Sequence, residues 1–217
     1  MVVKAIEEII FRIIFVILYI LFAIPRIYYR RKASKAKQIP TKQPPKTSPL
    51  RSWAHTAITI SILGLLIAYL LYLLIPPWIP WVPLPFPAIL RWIGLPLGLA
   101  AIPLLIWTHR TLGHYYSPEI EIQKQHLLIK TGPYSRIRHP MYVVFILITF
   151  GTILLAANLF VTIFGLLICF LLYPISKQEE QILIKEFGDQ YREYMKHTGR
   201  FLPPYRRKQE LSNSAEG

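Results

Sequence analysis

Ile58-Thr59-Ile60-Ser61-Ile62-Leu63-Gly64-Leu65-Leu66-Ile67-Ala68-Tyr69-Leu70-Leu71-Tyr72-Leu73-Leu74-Ile75 decides the fold class. The run contains no Asp, Glu, Lys or Arg. A helix crosses a bilayer with about 20 such residues, because every backbone polar group must be satisfied within the segment. Working outward, the same pattern recurs along the chain. Spans are expected at roughly 7–27, 54–75, 88–107, 141–157 and 159–175, with ends uncertain by about 2–4 residues. The last two are short and meet at Asn158, the tip of a tight helical hairpin over 141–175. The expectation is an all-α integral membrane protein of about five transmembrane helices.

Bulk composition agrees. Of the 217 residues, 53% are hydrophobic and 17% charged, with a mean hydropathy of +0.39. A soluble domain carries about 25% charged residues and could not bury this much apolar surface. The formal net charge of +14 would suggest nucleic acid in a soluble protein. Here the basic residues flank apolar runs, so the lipid bilayer is the expected partner and nucleic acid is not. The single cysteine, Cys169, lies inside the last run and forms no intramolecular disulfide. The first run does not read as a cleavable leader. Glu7, Glu8 and Arg12 interrupt its start, and Pro25-Arg26-Ile27-Tyr28-Tyr29-Arg30 follows without a small-residue cleavage site.

Between the spans the chain changes character. Arg30 to Arg51 is a linker rich in Lys, Pro, Ser and Thr that has little to bury. Pro76-Pro77-Trp78-Ile79-Pro80-Trp81-Val82-Pro83-Leu84-Pro85-Phe86-Pro87 cannot continue a helix, and its tryptophans favour the headgroup region, so an interfacial loop is expected. Five spans put 30–51, 108–140 and 176–217 on one side. With Arg26, those regions hold every Lys and Arg except Lys4, Arg12 and Arg91, which points to the cytoplasm. The N-terminus is then outside. The layout is an N-terminal helix and basic linker (1–53), two helices around the Pro/Trp loop (54–107), a region carrying the chemistry (108–205) and a disordered tail (206–217).

Within the third region a helix is expected over 177–197. At 100° per residue, Leu183, Phe187, Tyr191 and Tyr194 share one face, and Lys185, Glu186, Asp189, Arg192, Glu193 and Lys196 share the other. Such a helix lies on the membrane or against the bundle. Two features near it stand out. The loop 109–140 holds His109, His114, His126 and His139, and ends in Gly132-Pro133-Tyr134-Ser135-Arg136-Ile137-Arg138-His139-Pro140-Met141-Tyr142. Read from composition alone, this is a membrane anchor: Arg at the headgroups, Pro in the first helical turn, Tyr in the aromatic belt. Glu179-Glu180 falls at the edge of the apolar face, where a carboxylate wants a cation. The alternative is a pair of acids favoured by a helix N-terminus. Both features are expected at the membrane surface on the same side.

Taken in order, these residues resemble the isoprenylcysteine carboxyl methyltransferase family and related membrane phospholipid methyltransferases. The resemblance runs over about 109–205: Leu112-Gly113, Ile120-Glu121-Ile122, His126-Leu127-Leu128-Ile129, Gly132-Pro133-Tyr134, Arg138-His139-Pro140-Met141-Tyr142, Asn158, Glu179-Glu180, Phe187-Gly188, Tyr191, Tyr194 and Arg200-Phe201-Leu202-Pro203. It implies a methyltransferase that uses S-adenosylmethionine on a lipophilic or amphiphilic acceptor, at a cytoplasmic site. The cofactor-binding residues it implies are Gln123, His126, Leu127, Leu128, Ile129, Tyr134, Arg138, His139, Pro140, Met141, Tyr142, Glu179 and Glu180. On this reading Arg138 or His139 meets the cofactor carboxylate, and Glu179 or Glu180 meets its ammonium or ribose. Arg200 is the catalytic-site cation, placed to hold an anionic acceptor head. No Gly-x-Gly-x-x-Gly occurs, so a Rossmann-type pocket is not expected.

Two positions depart from the family pattern. Val144 stands where a Gly is usual, and Ile175 stands where prenylcysteine-specific members carry an Arg. Two other readings stay open, and a third is disfavoured. A sterol-reductase-like enzyme would use NADPH. A catalytically silent membrane binding protein could keep the fold. A metal-dependent oxidase needs clustered histidines at helical spacing, and none is present, so no metal is expected.

Overall fold

The computed structural model describes residues 2–36, 49–76, 82–112 and 128–204. Among the described residues, six α-helices follow in order: α1 (Val2–Ala36), α2 (Pro49–Leu74), α3 (Ala88–Leu112), α4 (Pro140–Ala156), α5 (Leu159–Phe187) and α6 (Asp189–His197). Among the described residues there is no β-strand beyond two isolated bridges. The fold is an all-α membrane bundle, as the apolar runs require. Helices α1, α2, α3 and α5 are each long and apolar enough to cross a membrane. α4 has 17 residues. At about 1.5 Å per residue it falls short of a hydrocarbon core of roughly 30 Å.

Small residues and aromatic rings set the packing. α3 lies most extensively along α4, and α2 along α5, while α1 leans on α3 and α4. The α3–α4 contact is close because glycines face glycine. A Cβ on Gly151 would lie 2.8 Å from the Gly98 backbone, and one on Gly94 would lie 2.6 Å from the Gly151 carbonyl. In lipid, where no hydrophobic force drives helices together, such approach supplies the dispersion contact that does. On α1, Phe11, Phe15, Leu18 and Phe22 form a buried stripe at helical spacing. Phe15 meets the rings of Tyr69 and Tyr72 on α2 edge-on, at 4.9 and 5.5 Å between centroids.

The two ends of the bundle differ in chemistry. At one end, Glu8 accepts from Arg12 and from Arg91, the latter at 2.8 Å. Arg12 also donates to the Ile75 carbonyl and Arg91 to the Leu155 carbonyl. Arg12 and Arg91, outliers to the charge asymmetry, thus close the ends of α2 and α4. Asn158 joins α4 to α5 at this end, as its position in the sequence suggests. Ala157 adopts a left-handed conformation, and the Asn158 side chain caps α5 by accepting from the Phe160 and Val161 amides. The second half of the Pro/Trp loop binds this turn: Leu84 N–H donates to the Ala157 carbonyl and Leu159 N–H to the Val82 carbonyl.

The helix expected over 177–197 is not one element. α5 continues through Pro174 to Phe187, and the chain breaks at Gly188 (φ 55, ψ −127) before α6 begins. Pro174 removes one backbone donor from α5, an interruption that membrane-spanning helices tolerate more readily than soluble ones. Gly188 supplies a conformation that a side chain resists. Of the expected apolar face, Tyr191 and Tyr194 are buried and Leu183 and Phe187 half-buried, while Lys185, Glu186, Asp189, Arg192, Glu193 and Lys196 are exposed.

Candidate functional site

At the end carrying α6, the loop before α4 and the segment after α6 run side by side. Gly199 N–H donates to the Arg136 carbonyl, Arg138 N–H to the Gly199 carbonyl and His139 N–H to the Arg200 carbonyl. This short parallel pairing lays Arg200 and Phe201 beside Arg138 and His139. The tight turn at Gly132-Pro133-Tyr134-Ser135 precedes it, and the Tyr194 hydroxyl on α6 donates to the Tyr134 carbonyl at 2.6 Å. Pro140 opens α4, where its missing N–H has no intrahelical partner to lose.

Glu180 is the hub. It sits on the buried face of α5 with a side-chain exposure of 4%. Arg138 Nε donates to its Oε1 at 2.8 Å, His139 Nε2 reaches the same oxygen at 3.2 Å, and Arg200 grips the carboxylate through Nε and Nη2. Arg138 also donates to the Met195 and Thr198 carbonyls at the end of α6. A buried carboxylate so surrounded meets the condition for burying charge at all, which is full pairing. Glu179, one residue earlier, takes a different position. Its Oε1 accepts from the Tyr142 hydroxyl at 2.5 Å, and its Oε2 lies 3.4 Å from His139 Nδ1.

His139 therefore has a carboxylate on each ring nitrogen. Burial opposes its charged form, but the hydrogen bonds to Glu179 and Glu180, and then their charges, outweigh it and raise its pKa above the ordinary histidine value. Its ring stacks on Tyr142 at 5.2 Å, and Phe201 lies edge-on at 6.1 Å.

Behind these groups is a cavity of about 530 Å³ among α1, α2, α4 and α5. Tyr142 and Glu179 line its polar end together with His55 and Ile175. Its walls are apolar, including Phe22, Leu65, Phe145 and Leu172, and Tyr69, Thr149 and Ile168 line it farther in. Its size falls in the usual small-molecule range of roughly 300–1,000 Å³.

The structure brings together Tyr134, Arg138, His139, Pro140, Tyr142, Glu179, Glu180 and Arg200 from the expected set. Met141 is half-buried against the hydrophobic core. Leu128 and Ile129 lie at the start of the described stretch and are partly buried. Gln123, His126 and Leu127 lie outside the described residues. His109 is apart from the cluster: it is buried on α3, stacked on Tyr29 at 4.9 Å, with Arg26 Nη1 3.5 Å from its Nε2. Two departures from the family pattern now have surroundings. Val144 is fully buried in the core, and Ile175 lines the cavity one helical turn before Glu179. The cavity residues on α1 and α2 were not singled out by sequence, and Phe201 entered only as part of the Arg200–Pro203 run, with no role of its own. Nothing in an apolar residue of an apolar helix marks it as facing a cavity.

Comparison with known proteins falls on the same region. Residues 92–185 match the sequence model of the isoprenylcysteine carboxyl methyltransferase family. The match takes in α3, the Arg138–Tyr142 run and both glutamates, and stops before α6 and Arg200. Two curated relatives are protein-S-isoprenylcysteine O-methyltransferases. The one from Saccharomyces cerevisiae is 36% identical over 96 residues, covering 43% of this chain and 40% of the relative. The one from Schizosaccharomyces pombe is 37% identical over 84 residues, covering 37% of this chain and 34% of the relative. The match thus spans well under half the length of either relative.

Proposed function

We propose that this protein is a membrane-embedded methyltransferase that transfers a methyl group from S-adenosylmethionine to a lipophilic or amphiphilic acceptor. One observation carries the reading: Tyr142 and Glu179, within the family-matched region, form the polar end of an apolar cavity inside a membrane bundle. The donor set suits the cofactor. The Glu179 carboxylate, hydrogen-bonded to Tyr142 at the polar end of the cavity, favours a cation, and S-adenosylmethionine carries both a sulfonium and an ammonium.

When bound, S-adenosylmethionine supplies an activated methyl group that a nucleophile attacks in line. The protein's own residues align, charge and dry the site. Glu179 is the candidate partner for the cofactor's ammonium or ribose, held in place by Tyr142 and His139. Arg138, His139 and Arg200 are positioning residues, since all three converge on Glu180 and fix the segment that carries Phe201. The cavity receives the acceptor's apolar part. The basic asymmetry of the sequence supports placing this end of the bundle in the cytoplasm.

The direct test is equilibrium binding of S-adenosylmethionine and, separately, NADPH to the purified full-length protein in lipid nanodiscs. Saturable binding of S-adenosylmethionine alone is expected. Binding of NADPH alone would replace this reading with the reductase one.

A further inference from the structure

The cavity's lining follows α2, α4 and α5 inward from the polar end, with Tyr19 and Phe22 of α1 on its side. On α5 it runs from Glu179 back to Ile168, and on α4 from Tyr142 to Thr149. On α2 it runs from His55 to Tyr69, and Tyr72, one turn further, does not line it. On α5 that distance is about 16 Å at roughly 1.5 Å per residue.

What stops the cavity is a fixed ring. The Tyr69 hydroxyl lies 2.8 Å from Thr152 Oγ1, across from α2 to α4. Thr152 Oγ1 is within donating distance of two carbonyls, Ile148 at 3.0 Å and Thr149 at 2.9 Å. A hydroxyl has one proton. With that proton on a carbonyl, Tyr69 is the donor to Thr152. The ring is clamped from α1 by Phe15 at 4.9 Å and Tyr19 at 5.8 Å, both edge-on. An aromatic side chain with its tip hydrogen-bonded and two rings against it does not yield to a ligand as a leucine would.

We propose that Tyr69 is a specificity-determining residue: it is the floor of the acceptor site and sets the length of apolar tail the site accepts. This rests on the methyltransferase reading only in taking the cavity's occupant to be the acceptor's tail. Referred to its concentration in the bilayer, an amphiphile gains little from exchanging lipid for an apolar wall. Length selection then comes from fit. A short tail leaves a void, and a long one presses on the ring, and overpacking a rigid wall costs about tenfold in affinity or more.

The test is competition against a fluorescent single-chain amphiphile by n-alkylamines and fatty acids of increasing length, with the full-length protein in nanodiscs. Wild type should show one optimal length, shared by both head types. Tyr69→Ala and the milder Tyr69→Leu should move that optimum to longer chains, and tails beyond the wild-type optimum should gain about tenfold. Leu172→Ala widens the middle of the cavity and should leave the optimum where it is. An unchanged optimum in a Tyr69 variant that still shows a cooperative thermal transition overturns the assignment. So does an optimum that moves equally in Leu172→Ala. Because the readout is binding, a moved optimum without any methyl transfer sinks the enzymatic reading and spares the floor. Methyl transfer with an unmoved optimum does the reverse.

Discussion

Tyr142, in the first turn of α4, donates a hydrogen bond of 2.5 Å to Glu179 on α5, 37 residues later. This contact joins the Arg-His-Pro run to the glutamate pair, which sequence could place only on the same side of a membrane. It also puts a hydroxyl and a carboxylate at the polar end of an otherwise apolar cavity.

Glu179→Gln keeps the shape and removes the charge. Loss of a charge-assisted hydrogen bond costs about 1.5–3 kcal/mol, or roughly 10- to 100-fold in S-adenosylmethionine affinity. Equilibrium binding to purified protein reads this. Unchanged affinity would return Glu179 to a purely structural role.

Glu180 should behave differently, because two guanidiniums and an imidazole converge on it. Glu180→Ala leaves those cations buried without their anion, and breaking a buried pair this way typically costs about 3–5 kcal/mol. Thermal unfolding in detergent should show a large fall. The arginines are coupled through this one carboxylate, so the effects of Arg138→Gln and Arg200→Gln should not add. If Arg200→Ala impaired acceptor kinetics while stability held, Arg200 would belong to the acceptor site.

His139 gives a pH signature. Its pKa is raised in the folded protein by its two carboxylate partners. Its stabilising contribution is therefore fully present below the ordinary histidine value of about 6.5. It is lost as pH rises through the higher folded value. Unfolding measured across that window should show a decline in stability with pH that His139→Gln lacks. A variant with the wild-type slope would exclude His139 as the source.

Gly151 should tolerate no side chain. A Cβ there would sit 2.8 Å from the Gly98 backbone, so α3 and α4 must separate. Gly151→Leu should destabilise by about 1–3 kcal/mol or more, as overpacking does. A thermal transition as high as that of wild type would show that the helices shift freely.

Sequence carried the class of fold because apolar runs this long have one physical use. It carried Asn158 as the turn between two apolar runs and Pro140 as a first-turn residue because both signals are local, while the cap that Asn158 forms on α5 came from the structure. It carried the glutamate pair because a carboxylate at the edge of an apolar face demands a partner. The continuous α5 was not legible, since Pro174 reads as a boundary outside a membrane bundle and the stop at Gly188 depends on how α6 packs. The partners of Arg138 and Arg200 were not legible either. Both look like cations awaiting a ligand until the parallel pairing of 136–139 with 199–200 turns them onto Glu180. The contact of Glu8 with Arg91 escaped for the same reason: it joins residues 83 apart.

Methyl transfer by this site can be followed with labelled donor. Full-length protein in nanodiscs of native lipid extract is incubated with S-adenosylmethionine labelled in its methyl group, and the label is followed into the lipid-soluble fraction. Wild type should transfer label to an extractable amphiphile, and Glu179→Gln should transfer at least about tenfold less at subsaturating donor. Wild-type protein that binds the donor yet transfers no label to any lipid-soluble product, or a Glu179→Gln variant that transfers at the wild-type rate, would contradict the account.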